Sequence, residues 1–332
     1  MKNFTYFRPE SVDQAVSLLE NTYGNTELLA GGTDLLDLQK EYVAQPTRVV
    51  SLNMINNFSG ISAGEGNRDI TIGAGTKLAD IAGNAAVRRH FPGLADAAGQ
   101  IAGPQIRNMA TLGGNLCQRN RCWYFRDEHV NCLLKGGETC FALRGDNRYH
   151  AIFVQDHPCV IVSPSTIAPV LIALNARATV QGPRGQRAVN MSEFYRAPSQ
   201  AGQREHTLAS NEVVTNVIIP TGSRNGHYEV RNKLSSDWPI VQAAVAFTLN
   251  NNRATNVKIV LGHVAPTPHV ATAAMRALEN QAVTMETATA AGNAASEGSR
   301  PLGQNQYKVR LIQVAVKRAI LIAAGQRRYW EV

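Results

Sequence analysis

Five cysteines carry the first chemical signal in this sequence. Cys117, Cys122, Cys132, Cys140 and Cys159 are the whole complement of a 332-residue chain, spaced C-x4-C-x9-C-x7-C-x18-C directly behind Gly113-Gly114. Cysteine is a small residue that usually scatters through buried cores, so confinement to one polar, Arg- and Gly-rich segment asks for a cause. Thiolates holding an ion or a cluster supply one. Zinc fingers and ribbons pair their ligands as C-x2-4-C, a spacing only Cys117 and Cys122 approach. The wider spacings suit an iron–sulfur cluster better, with structural zinc as the alternative. A cluster takes four ligands and five cysteines are present, so spacing leaves the spare one open. The segment, with Arg119, Arg121, Trp123, Tyr124 and Arg126, has little periodicity and reads as a long loop that a metal centre would have to stabilise. An odd cysteine count argues for reduced thiols and against a disulfide framework.

Two glycine-rich stretches carry the second signal. In Leu28-Leu29-Ala30-Gly31-Gly32-Thr33-Asp34-Leu35-Leu36 an apolar strand stops at two glycines and restarts as an amphipathic segment. Glycines let the backbone approach a ligand, and free N–H groups at the following helix start favour a phosphate or pyrophosphate. An ordinary strand-to-helix turn would look the same. Gly73-Ala74-Gly75 opens like a dinucleotide fingerprint but fails as one, because Leu78 stands where the third glycine belongs. There is no G-x-x-x-x-G-K-[ST] run either. Thr111-Leu112-Gly113-Gly114-Asn115 supplies a second Gly-Gly turn, as if one extended ligand were clamped from two sides.

Around these stretches the chain reads as α+β. Phe4-Thr5-Tyr6 is a short strand, and Ser11 with Gln14 a capping box for a helix. Val49 to Leu52 and Ile70 to Thr76 are strands, and Leu78 to Phe91 is one helix. Ala178-Thr179-Val180 and Arg187-Ala188-Val189 form a hairpin across Gly182-Pro183-Arg184-Gly185. Val213 to Ile219, Tyr228 to Lys233, Val241 to Leu249 and Asn256 to Val264 read as strands of one antiparallel sheet. Helices follow from Val270, Met285 and Tyr307. The boundary falls near Ser192 to Ser210, giving domains at 1–190 and 205–332. With 44% hydrophobic residues the chain can bury sizeable cores. Its formal charge of +8 permits anionic partners, yet Lys and Arg are scattered, which disfavours nucleic acid. Met1 to Pro9 has no apolar h-region and no stretch approaches the roughly 18 apolar residues of a membrane span, so neither export signal nor anchor is expected.

Ala30-Gly31-Gly32-Thr33-Asp34, Ile72-Gly73-Ala74-Gly75-Thr76, Arg107-Asn108 through Thr111-Leu112-Gly113-Gly114-Asn115-Leu116, and Ser163-Pro164 with Ala168-Pro169 together resemble the FAD-binding medium subunit of the xanthine dehydrogenase (molybdenum hydroxylase) family. The cysteine insert, at about 117–159, is similar to that of the flavin subunits of 4-hydroxybenzoyl-CoA reductase and bacterial three-subunit aldehyde oxidoreductases, which carry an extra [4Fe-4S] cluster. The resemblance implies a two-lobed FAD-binding domain of the vanillyl-alcohol-oxidase type, followed by a C-terminal antiparallel sheet with helices. It implies that Leu29, Ala30, Gly31, Gly32, Thr33, Asp34, Leu35 and Leu36 wrap the FAD pyrophosphate, with Thr111, Gly114 and Asn115 opposite. Ile101 and Val214 would make apolar contacts to the cofactor, and Lys233 a flavin contact. Thr166 stands where relatives often carry Asp, keeping a hydrogen bond but no charge. By the same resemblance Cys122, Cys132, Cys140 and Cys159 ligate the cluster and Cys117 is spare.

No Ser-His-Asp order or H-E-x-x-H run is visible, and His263 and His269 read as structural. The expectation is therefore an electron-transfer subunit of a multi-subunit molybdoenzyme. A large molybdenum-cofactor subunit and a small [2Fe-2S] subunit would be its partners, with an external electron acceptor or donor. A self-contained NADH-dependent flavin oxidoreductase and a zinc-stabilised nucleic-acid-binding module are the rival readings. A cytoplasmic location is expected, or a periplasmic one by co-export with a signal-bearing partner.

Overall fold

A computed structural model of the chain describes residues 1–154, 156–233 and 236–326. Three sheets organise it. The first unit runs Thr5–Phe7 (β1), Val12–Ser17 (α1), Thr26–Leu29 (β2), Leu35–Lys40 (α2) and Arg48–Ser51 (β3). Its strands are parallel in the order β1-β3-β2, with Leu29 opposite Ser51. Ser11 caps α1, its hydroxyl accepting from the Gln14 N–H at 3.2 Å, as the capping pattern predicts.

The second unit begins with Ile61–Ala63 (β4) and Asp69–Gly73 (β5), then helices Leu78–Gly83 (α3), Ala85–His90 (α4), Pro92–Gln100 (α5), Pro104–Arg107 (α6) and Leu112–Cys117 (α7). The predicted single helix from Leu78 is thus two. Asn84 leaves the helical region and its side chain accepts from the Ala86 and Val87 N–H groups, so it starts a new helix instead of continuing the old one. Trp123–Arg126 (α8) is one helical turn in the cysteine segment, with 3-10 turns at Leu133–Lys135 and Phe141–Leu143. Ile167–Ala173 (α9), Arg177–Gly182 (β6), Gly185–Asn190 (β7) and Val213–Pro220 (β8) follow.

These strands make a five-stranded antiparallel sheet, β4-β5-β8-β6-β7, in which β6 and β7 form the expected hairpin. β8 is the difference from the sequence reading. It pairs with β5 and β6, and not with the later strands, so the five-stranded sheet draws on residues as late as Pro220. Its own texture could not reveal this, because strand partners are chosen by tertiary burial and not by local pattern.

The third unit contains Arg224–Val230 (β9), Val241–Asn250 (β10), Arg253–Gly262 (β11), His269–Val270 (β12), Thr272–Leu278 (α10), Met285–Ala294 (α11) and Tyr307–Ala323 (α12). Its sheet is antiparallel, ordered β12-β11-β10-β9. Along β10 alternate residues serve two cores. Val241, Ala243, Val245 and Phe247 pack with the C-terminal helices, while Ala244 and Ala246 face the core of the first two units. A sheet buried on both faces welds the halves together. α5 adds to this: the Gly93 N–H donates to Asn225 Oδ1 at 2.9 Å, and Asp96 reaches buried His227 of β9 at 2.9 Å. A small third core holds Leu38, Phe125, Leu134 and Ile161 with Cys132 and Cys159. Among the described residues no helix is long and apolar enough to cross a membrane.

Candidate functional site: a glycine-walled cavity beside four thiols

β2 ends at Leu29 and the chain turns through Gly31 and Gly32 into α2. Gly32 sits at φ +74°, the left-handed region, and a Cβ on Gly31 would collide with the Met109 carbonyl. Both positions therefore demand glycine. No hydrogen bond among the described residues uses the backbone N–H groups of Gly31, Gly32 or Thr33, and all three residues line a cavity of about 290 Å³. Unsatisfied main-chain donors on a concave wall are a site for anionic oxygen.

Thr111, Gly114 and Asn115 line the same cavity. The second Gly-Gly pair is not a turn, as the sequence suggested, but the first turn of α7. Thr111 caps it, accepting from the Gly114 N–H at 3.1 Å, and Gly113 lets the helix pack against Ala74. Ile101 and Val214 contribute apolar wall. Of the residues expected at the cofactor, Leu29 to Leu35, Ile101, Thr111, Gly114, Asn115 and Val214 are thus brought together. Three are not in the lining. Leu36 is on the solvent side of α2, 38% exposed. Thr166 is buried ahead of α9, where its carbonyl accepts from Gln242 Nε2 at 2.6 Å, and the neighbouring Ser165 hydroxyl donates to Asn115 Oδ1 at 2.7 Å. Lys233 is exposed, its N–H donating to Asp237 Oδ2 at 3.1 Å; Leu234 and Ser235 of its motif lie outside the described residues.

Sequence reasoning missed the cavity's far wall, which includes Tyr23, Glu27, Arg204 and His206. Arg204 pairs with Glu27 and lies 4.6 Å over the Tyr23 ring. Arg119 pairs with Glu205 at 2.8 Å. These cations are already compensated, so main-chain donors remain the natural partners for an added anion. Burial pushes His206 down to about 3 and holds it neutral.

Asp34 joins the cavity to the cysteine segment. Its carboxylate accepts from the Arg119 N–H at 2.8 Å and pairs with Arg126 at 2.6 Å and Arg121 at 2.9 Å. Burial opposes its ionisation, but the two guanidiniums outweigh that and hold the carboxyl below its ordinary range. Arg121 also lies 4.4 Å over the Trp238 ring, forming a wall shared with a second cavity of about 280 Å³ that reaches Cys122, His150 and His263.

The four thiols expected as ligands are electrostatic neighbours. Cys122 feels the charges of Cys132 and Cys140, and Cys140 and Cys159 act on each other. The Cys159 thiol beside it drops Cys140 to about 6, Cys140 in turn raises Cys159, and burial pushes Cys122 to about 12. All five cysteines are free thiols. Among the described residues no group of three or more His, Cys, Asp or Glu side chains is arranged to hold a metal ion. Cys117 lines the glycine-walled cavity instead, raised to about 12 by burial.

The sequence model for the FAD binding domain in molybdopterin dehydrogenase matches residues 2–222, and that for the CO dehydrogenase flavoprotein C-terminal domain matches residues 226–323. The chain is 29% identical to the aldehyde oxidoreductase FAD-binding subunit PaoB of Escherichia coli (strain K12), over 98% of this chain and 100% of that one. It is 29% identical to the carbon monoxide dehydrogenase medium chain of Hydrogenophaga pseudoflava, over 96% of each. A solved structure of carbon monoxide dehydrogenase from that organism, lacking the Mo-pyranopterin moiety of its cofactor, superposes with a TM-score of 0.75 at 27% identity, covering 98% of both chains.

Proposed function

Because the chain belongs to the FAD-binding subunits of the molybdenum hydroxylase family, with the medium chains of xanthine dehydrogenase and carbon monoxide dehydrogenase, we propose that it relays electrons within such a complex through FAD and a [4Fe-4S] cluster of its own. It is an FAD-binding oxidoreductase subunit. The partners in this reading are a large molybdenum-cofactor subunit and a small [2Fe-2S] subunit, with an external electron acceptor or donor.

FAD would supply two-electron or stepwise one-electron exchange, and the cluster one electron at a time. The chain's own residues hold and orient. The N–H groups of Gly31, Gly32 and Thr33 would bind the pyrophosphate, with Thr111, Gly114 and Asn115 across from them, and Ile101 and Val214 would exclude water from the rings. Thr111 keeps the α7 end of that wall in place, and Asp34 holds the glycine loop against the cysteine segment. Cys122, Cys132, Cys140 and Cys159 would hold the cluster. The observation carrying this part is that Cys132 and Cys159 sit in one small apolar core with Cys122 packed against it, and that Cys140 is close enough to act electrostatically on Cys122 and Cys159. Cys117 is left out because it faces the other cavity.

An anaerobic ultraviolet–visible spectrum, with iron, zinc and acid-labile sulfide assayed on one sample, tests the reading. Flavin bands with about four iron and four sulfide per chain are expected. Flavin without iron, or with one zinc, would overturn the cluster. In Cys132→Ser the iron and sulfide should be lost while FAD stays bound.

A further inference from the structure

We propose that the second cavity is a binding site for a small uncharged quinone, the class of molecule that would serve this subunit as external electron acceptor. The acceptor role rests on the flavin relay proposed for the subunit; the binding site does not. Its walls are aromatic and apolar, with Trp123, Tyr149 and Trp238 joined by Val162 and Pro164. An engineered apolar cavity of about 150 Å³ takes one benzene ring, so about 280 Å³ holds two fused rings. One polar group in this lining is left open. His263 is 2% exposed, and its buried Nε2 has no hydrogen-bond partner among the described residues. A buried polar atom without a partner costs stability, and a ligand that completes the bond restores it. A quinone carbonyl accepts from a ring N–H and a quinol hydroxyl donates to a ring lone pair, so either tautomer of His263 is served.

Charge narrows the ligand class. Arg121 is the one Lys or Arg among the described residues of the lining, and it is paired with Asp34 at 2.9 Å, while Asp237 adds a carboxylate. A phosphate-bearing ligand such as a nicotinamide dinucleotide finds no uncompensated cation here. The walls are also held in place. His263 stands at φ +62°, in the left-handed region that a non-glycine residue keeps only where its surroundings fix it. Buried Lys308 of α12 does this, donating to the carbonyl of His263 at 2.9 Å and of Tyr149 at 2.8 Å. Asn232 Nδ2 donates to the Tyr149 hydroxyl at 3.0 Å. The Arg121–Trp238 stack is common to this cavity and the glycine-walled one, so a bound quinone lies across one wall from the cofactor's cavity. Reduced flavin gives the quinone two electrons and two protons, the quinone leaves as quinol, and the flavin returns to its oxidised form.

The test uses the full FAD-loaded chain and dimethoxynaphthoquinone, whose substituents block addition of thiols. Two variants alter residues that line the second cavity and not the first. Val162→Phe fills it; His263→Asn keeps a residue type that tolerates positive φ but draws the hydrogen-bonding group back from the ring. Calorimetry should show one quinone per wild-type chain, bound at least tenfold more weakly in Val162→Phe. In His263→Asn the loss of one hydrogen bond should weaken it about fivefold, and flavin content should be unchanged in both. No binding to wild type, wild-type affinity in both variants, or release of flavin in step with quinone uptake would overturn the site. If Val162→Phe does not melt cooperatively, His263→Asn decides. Anaerobic stopped-flow mixing of the reduced chain with subsaturating quinone then tests the role. Wild-type flavin should reoxidise at least tenfold faster than that of Val162→Phe, and binding without reoxidation overturns the acceptor role. A wild-type chain without flavin overturns the flavin reading and the acceptor role together, and calorimetry on that chain still decides the site.

Discussion

Between Ala30 and Asp34 the cavity wall is main chain, whereas from Arg119 to Cys159 the structure hangs on side chains. The glycine loop needs room and a left-handed φ, and once these are given its N–H groups are in place whatever the neighbouring side chains do. The cysteine segment has little regular structure, and its order comes from Arg126 and Arg121 on Asp34, Asn120 on Glu205, and a small core that takes in Cys132 and Cys159. A main-chain site is sensitive to added volume; a side-chain site is sensitive to the loss of any one partner. Asp34 belongs to both, which makes it the place to test how separable the two regions are.

The largest effect is expected from Asp34→Asn. It strips partners from Arg121 and Arg126, whose side chains are only 20% and 13% exposed, and should cost about 3 kcal/mol or more in chemical denaturation. Bound FAD and iron should fall together; loss of one alone would show that the regions are independent. Gly31→Val should act on one region only. Its side chain meets the Met109 carbonyl, so bound flavin should drop at least about tenfold, equivalent to about 1.4 kcal/mol, while iron is retained. Normal flavin content would remove the glycine loop from the site.

Stability against pH reports on the buried histidines. Burial opposes a charge on His227, but the hydrogen bond to Asp96 and the Glu229 carboxylate 3.6 Å away outweigh it and hold its pKa at about 9, above the ordinary 6.5. This raised pKa contributes stability that is fully present below about pH 6.5 and is lost as pH rises through about 9. Burial lowers His206 and His263 to about 3, so the unfolded chain takes up their protons first and stability also falls as pH drops from about 6.5 toward 3. Thermal melts should therefore peak near neutral pH, and His227→Gln should flatten the alkaline limb alone. The smallest effect is expected from Thr111→Val, which removes the α7 cap for about 1 kcal/mol and weakens flavin retention less than Gly31→Val does.

Features whose cause lies within a few residues were legible in the sequence: the Ser11 cap, the Gly31-Gly32 turn, the β6–β7 hairpin, and the grouping of all cysteines behind Gly114. Backbone sterics and local hydrogen bonds act over that range, so residue type and spacing suffice. The cofactor class and the family were legible too, through several short motifs in combination. What only the tertiary structure decided is partnership. β8 joins the first large sheet, Arg204 finds Glu27 across 177 positions, and Asp34 holds Arg126 across 92. Nothing near Leu36, Thr166 or Lys233 in the sequence tells that their side chains stand outside the cavity lining. Such choices follow from which surfaces the packed units bury against one another, and that energy belongs to no single stretch of chain.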